Sequence, residues 1–552
     1  MNKACFTALA LFTFISYAES RQTRIVPSRR PATVGQAAAV IADLDTVRVL
    51  AIRVEFQPDD DPRTTGNGEF LLTGSASQID PPPHDSAYFS SKLRFLENYF
   101  RRVSNGQLTV QGDLFDQVVT LPDSMAIYSP ESGGSNSPLA ELVIDSWTAA
   151  SAAVPTFPFS QYHAFIIFHA GAGRDIDLVS ILGFDPTPSD IPSVTLNLES
   201  LRQYLVNPTY EGVPVGGGFF ITNSLILPET ETRVLTSGSI SDTLQLGING
   251  LLAASFGSYL GLPDLFDTRT GRSGIGQFGL MDGASIFAFN GIFPPEPSAW
   301  EKIFLGWVAP IIINSGTGTI TVPAVGLTQS GMDSIYKIPV SATEYFLIEN
   351  RIRDPEGDGQ TLTILKDGAI VTRHFGADTA GFVFYDLSGI SGSILDVDDF
   401  DWALPGSTLD PGFEGGGILI WHVDETNLAM NLSANTLNAD PDRRTVDLEE
   451  ADGSQDIGVA YGLLEPGSGT ENGWPLDFWF AGNSAPVYSN AFHGSSFPDS
   501  RSNSGAPTLL SIGTFGPISP RMPAGVSQGN SQTKRLFQSP RLSNCSAVSV
   551  TV

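Results

Sequence analysis

Residues 254–264 read Ala-Ser-Phe-Gly-Ser-Tyr-Leu-Gly-Leu-Pro-Asp. Their spacing is that of a hydrolytic zinc site, His-Glu-x-x-His-x-x-Gly-x-x-His/Asp. In that pattern two histidines at i and i+4 lie on one helix face and share one ion. The glutamate beside the first histidine takes a proton from zinc-bound water. The glycine lets the chain turn sharply, so that a third ligand swings back to the metal. Here Gly261 falls on the glycine and Asp264 on the last ligand. Ala254 and Ser258 fall where the histidines belong, and Ser255 falls on the base. Alanine has no donor atom, and a serine hydroxyl is a poor zinc ligand beside His, Cys or carboxylate. The catalytic set is therefore degenerate at Ala254, Ser255 and Ser258. Asp264 is a residual ligand position, and one aspartate alone does not make a zinc site. No zinc is expected.

The elements that would position these residues are legible around them. Apolar Leu252, Phe256 and Leu260 form one stripe of a helix predicted over 244–260. Ala254 and Ser258 share a neighbouring face. After Asp264 come Leu265, Phe266 and Asp267, a glycine-rich stretch ending in Leu280-Met281-Asp282, and then Ala299-Trp300-Glu301-Lys302. This order resembles the secreted immune-inhibitor-A type metallopeptidases, whose pattern runs roughly H-E-F-G-H-x-L-G-L-P-D-L-Y-D, then G-I-G-x-x-x-L-M, then A-W-E-K-x-x-L-G-W. Phe256, Gly257, Leu260 through Leu265, Asp267, Met281 and Trp300 through Lys302 match it. Arg48 to Phe56, Phe95 to Asn105, Tyr345 to Arg351, Gly417 to Glu425 and Val446 to Gly453 are similar to further segments of the family. The resemblance covers roughly residues 46 to 460. It implies a zincin-like domain with Met281 in the turn beneath the metal position. The departure falls on the residues that carry catalysis.

No other motif replaces the lost ligands. No pair among His84, His163, His169, His374, His422 and His493 sits at i, i+4. His163 and His169 flank an apolar strand and stand about 20 Å apart along it, at ~3.3 Å per residue. His169 and His422 read as hydrogen-bonded structural histidines. Gly274 to Gly279 spells G-x-G-x-x-G but follows a loop, so the glycines shape a loop and no dinucleotide site.

Composition fits a secreted globular chain. Residues 1–18 read as a signal peptide cleaved near Ala18, with an apolar run too short to span a bilayer. Cys5 leaves with it, and Cys545 remains alone. The net charge of −29, from 59 acidic and 30 basic residues, argues against nucleic acid and anionic membrane as partners. Residues 19–45 read as a leader or linker and 46–310 as the metallopeptidase-like domain. Residues 311–501 carry short β runs divided by Gly, Pro, Asp and Asn, an all-β unit expected to be a sandwich. Residues 502–552, rich in Ser, Gly and Pro, read as a weakly ordered tail. The expected fold class is α+β.

Acidic loops offer further chemistry. Calcium takes six to eight hard oxygens on flexible loops. The best sequence candidates are Asp354, Glu356 and Asp358 in one loop and Asp447, Glu449 and Asp452 in another. Three functions stay open at this point. The first is a pseudopeptidase that binds a polypeptide or cell-surface partner in the old cleft. The second is an active metallopeptidase using Asp264 with other ligands. The third is a calcium-stabilised surface or adhesion protein.

Overall fold

The computed structural model describes residues 46–74, 77–130, 134–237, 240–327, 335–376, 387–406, 412–461 and 465–529. Residues 1–45, which hold the expected signal peptide and leader, and residues 530–552 lie outside them. The chain is a mixed α and β protein with its strands in several sheets.

The first layer follows from two apolar runs. β1 (Thr46–Glu55) leads to α1 (Ser86–Val103), β2 (Thr109–Thr120), α2 (Ser137–Ala153), β3 (Ala164–Ala172), β4 (Val194–Asn197) and β5 (Asn223–Thr230). The sheet order is β2-β1-β3-β5-β4. All pairings are parallel except β4 with β5, which is antiparallel. β3 is buried along its whole length and β1 almost so, as central strands of a parallel sheet should be, with Arg53 and His169 as buried polar exceptions. Asp85 caps α1, its carboxylate accepting from the Ala87 and Tyr88 N–H groups at 2.9 and 3.2 Å. α1 packs on β2 and on α3 (Asn249–Leu260). Lys92 of α1 is fully buried and binds Asp80 at 2.6 Å and Asn249, the first residue of α3, at 3.0 Å. α3 starts later than the sequence pattern suggested. Ile240–Leu244 is instead one strand of a hairpin with Arg233–Ser237. α4 (Ala299–Phe304) closes this part with a capping box between Ser298 and Glu301.

Beyond residue 310 the strands are β6 (Gly316–Pro323), β7 (Tyr336–Pro339), β8 (Glu344–Arg351), β9 (Gln360–Lys366), β10 (Ala369–Phe375), β11 (Ser393–Val397), β12 (Gly417–Asp424), β13 (Val446–Leu448), β14 (Ala491–His493), β15 (Leu510–Gly513) and β16 (Arg521–Gln528). One sheet runs β7-β8-β12-β13, with the short strand Ile311–Ile312 beside β7; a second runs β6-β16-β15-β14; a third, β10-β9-β11. The first two meet through Phe346 and Phe492, ring centroids 5.2 Å apart, and through Asn350, whose amide donates to the Val322 carbonyl at 3.1 Å.

Two expectations change here. Residues 502–529 are not a weakly ordered tail, because β15 and β16 fill the middle of the second sheet. Met522, Ala524 and Val526 are buried alternately with exposed or half-buried neighbours, a period-two pattern interrupted by Pro523 and Gly525. The division at 310 also separates element types more than cores. Asn98 of α1 donates to the Leu395 carbonyl at 2.9 Å, and Arg102 pairs with Asp396 at 3.0 Å, so the third sheet packs back on the first unit.

His422, on β12, sits between two carboxylates, Glu344 at 2.8 Å and Glu449 at 3.1 Å. Burial alone would lower its pKa, but the two hydrogen-bonded carboxylates override burial and raise it to about 10. A raised histidine pKa stabilises the fold fully below the unfolded value of 6.5, and the gain is lost as pH rises toward about 10. Denaturant midpoints are expected to fall across that window by the equivalent of about 2 kcal/mol, a figure that allows for the burial cost of Glu449. His422→Gln should flatten the slope. An equal slope in the variant would assign the pH dependence to other groups.

Candidate functional site

α3 and the turn that follows it carry residues 254–264. Leu252, Phe256 and Leu260 are buried as the stripe requires, and Phe256 packs on Phe100 at 4.9 Å. Gly261 ends the helix with φ +105°, a left-handed conformation that favours glycine. The Leu262 N–H reaches back to the Gly257 carbonyl at 3.0 Å, as in the usual glycine-ended helix. Met281 lies directly beneath. A β-carbon added at Gly257 would stand 3.0 Å from its sulfur, which accounts for a glycine at 257.

The Met281 loop is held by α4. Glu301 is fully buried and accepts from the backbone N–H groups of Leu280 at 3.1 Å, Met281 at 2.8 Å and Ser298 at 2.5 Å. That gives the Trp300-Glu301-Lys302 segment a physical purpose, since one carboxylate fixes both the loop under α3 and the start of α4. The Leu265 N–H donates to the Met281 carbonyl at 2.8 Å and joins the segment after the helix to the same loop. Asp282 gathers the glycine-rich stretch, accepting from Gly274 at 2.7 Å and Ile275 at 3.0 Å. The stretch is a loop, as read from the sequence.

The motif positions themselves are enclosed. Ala254 and Ser255 have no exposed surface, and Ser258 is half-buried. The Ser258 hydroxyl donates to the Ala254 carbonyl at 3.3 Å, which shows the two on one helix face. The Ser255 hydroxyl is buried without a partner, while its carbonyl accepts from Thr195 Oγ1 of β4 at 2.9 Å. Asp264 is 2 % exposed and forms a reciprocal pair with Asn435. Its N–H donates to Asn435 Oδ1 at 2.9 Å, and Asn435 Nδ2 donates to its carboxylate at 2.8 Å. Asp264 thus anchors a segment 171 residues away. His169, at the end of β3, is fully buried. Burial lowers its pKa to about 4, so the ring is neutral, with Nδ1 2.9 Å from the Ala170 carbonyl.

Among the described residues, two sets of three acidic side chains bring ligand atoms within 4.8 Å of one another, Asp354/Asp358/Asp399 and Glu450/Asp452/Asp477. The sequence-derived candidates divide between these sets and other partners. Asp354 and Asp358 converge, joined by Asp399 and not by Glu356. Asp447 is bound to Arg444 at 2.9 Å and Glu449 to His422 at 3.1 Å, so only Asp452 of the second trio enters a convergent set. Glu450 and Asp477 complete that set. Asp477 was hidden in the aromatic run Trp474-Pro-Leu-Asp-Phe-Trp, where a lone carboxylate among apolar residues is the available signal.

No helix among the described residues is long and apolar enough to cross a membrane. No known protein-family model matches the chain, and no curated protein matches it.

Proposed function

We propose that this is a secreted, zincin-like pseudopeptidase that binds an extended polypeptide without cleaving it. The all-β sheets beyond residue 310 are then a sandwich that buttresses the binding unit. The observation that carries the reading is β4. It is the outermost strand of the first sheet, antiparallel to β5, and is tied by Thr195 to the carbonyl of Ser255 on α3. An outer strand offers a row of backbone donors and acceptors to an added strand, and that mode of recognition needs no metal. The helix end, the Gly261 turn and the Met281 loop support the frame, while Ala254, Ser255 and Ser258 supply none of the zinc chemistry.

Peptides selected from a display library should slow amide hydrogen exchange in Val194–Asn197 and should emerge uncut with zinc supplied. Protection confined to another sheet edge, or hydrolysis, would sink the reading. Metal analysis is a second check. After dialysis the protein should hold less than about a tenth of an equivalent of zinc, since a single aspartate is a weak zinc site. Stoichiometric zinc lost on Asp264→Ala would favour the active-enzyme alternative.

A further inference from the structure

Glu450 and Asp477 are fully buried, and Asp452, half-buried, joins them with ligand atoms within 4.8 Å. Local hydrogen bonds account for much of this set but not all of it. Glu450 accepts from the Asp456 and Ile457 N–H groups at 2.8 and 3.2 Å. Asp452 accepts from the Ser454 N–H at 2.8 Å and hydroxyl at 2.7 Å. Asp477 Oδ2 accepts from the Trp474 N–H at 2.6 Å, but Asp477 Oδ1 is buried with no partner. A buried carboxylate oxygen left unpaired costs more than its burial repays. The charges acting most strongly on Asp477 are all negative, those of Glu450, Asp452 and Asp456. Arg444 offsets part of the charge on Glu450, but its guanidinium binds Asp447 and the Ile457 carbonyl.

We propose that Glu450, Asp452 and Asp477 bind one calcium ion, which takes the orphan Asp477 oxygen as a ligand. The donors are all hard oxygens, without sulfur or imidazole, which suits calcium and not zinc. Ligand oxygens at ~2.3–2.6 Å from a calcium ion lie within about 5 Å of each other, as these do. The ion would staple the loop after β13 to the segment bearing Trp479, which bridges Ile418 of β12 and whose ring packs on Phe492 and Phe515. The other acidic set differs. Both Asp354 oxygens accept loop N–H groups, from Gly357, Asp358 and Gly359, and Asp358 is exposed. That set serves as the control.

The inference is independent of the pseudopeptidase reading, and its test is thermal melting of the full mature chain in chelator and in calcium. Calcium should raise the melting temperature by several degrees. Asp477→Asn and Asp452→Asn should abolish the rise, and Asp399→Asn should keep it. Terbium, used as a luminescent calcium probe excited through tryptophan, should bind the first two variants at least roughly tenfold more weakly than wild type, the loss that removing even an outer partner of a metal site causes. If Asp477→Asn does not fold, the half-buried Asp452→Asn decides. A wild-type melting curve unchanged by calcium overturns the proposal. So does a calcium response that survives Asp452→Asn or disappears only in Asp399→Asn.

Discussion

Arg351→Leu is expected to lower stability by about 3–5 kcal/mol, the typical result of removing one partner of a buried ion pair. Arg351 has no exposed surface and holds Asp401 through two hydrogen bonds of 2.5 Å. Its remaining donors reach the Phe278 carbonyl at 2.9 Å and the Glu296 carbonyl at 3.0 Å. One guanidinium therefore ties β8 to the loop before Met281, to the approach to α4, and to the segment after β11. Burial works against its charge, yet Asp401 and Glu349 outweigh burial and raise its pKa. Leucine would leave Asp401 as a buried, uncompensated anion and two carbonyls without donors. Denaturant titration measures the loss. Adding Asp401→Asn should recover part of it, because the orphaned charge goes with the substitution. A shift under about 1 kcal/mol for Arg351→Leu would mean that water reaches the site and the pair is screened.

The elements were more legible in the sequence than their partners. Runs such as Ala164–Ala172, apolar but for His169, admit few readings other than a buried strand. The helix end at Gly261 was legible because a left-handed residue there is a local demand that glycine answers. The strands within 502–529 were missed because their buried faces are Met522, Ala524 and Val526, small or isolated residues whose alternation is faint beside Pro523 and Gly525. The functions of Glu301, Asn435 and Asp477 depend on residues that the fold alone brings together. Nothing near Asn435 in the chain indicates that its amide holds Asp264. The acidic loops show the same limit. Asp447, Glu449, Glu450 and Asp452 stand in one short run, yet Asp447 serves Arg444, Glu449 serves His422, and Glu450 and Asp452 enter the convergent set.

The same long-range contacts govern what restoring the motif should do. Ala254→His, Ser255→Glu and Ser258→His together place two imidazoles, a base and Asp264 around the frame of α3, Gly261 and Met281. Wild type is expected to hold almost no zinc, and the restored chain about one equivalent. Two features of the structure oppose this gain. Ala254 and Ser255 are fully enclosed, so larger side chains there should cost about 1–3 kcal/mol each in overpacking. Asp264 is also held by Asn435, which competes with the metal for its carboxylate. Adding Asn435→Ala should therefore tighten zinc binding relative to the triple variant, and metal analysis with competitive chelators can rank the two. Binding should come before cleavage. Zinc requires ligands placed within a few tenths of an ångström, whereas hydrolysis also requires oriented outer partners that enclosed residues at this site do not provide. A four-site variant that folds, as judged by circular dichroism and a cooperative melt, yet takes up no zinc would remove residues 254–264 from the zinc-site frame. The pseudopeptidase reading would then rest only on β4 and the Met281 loop.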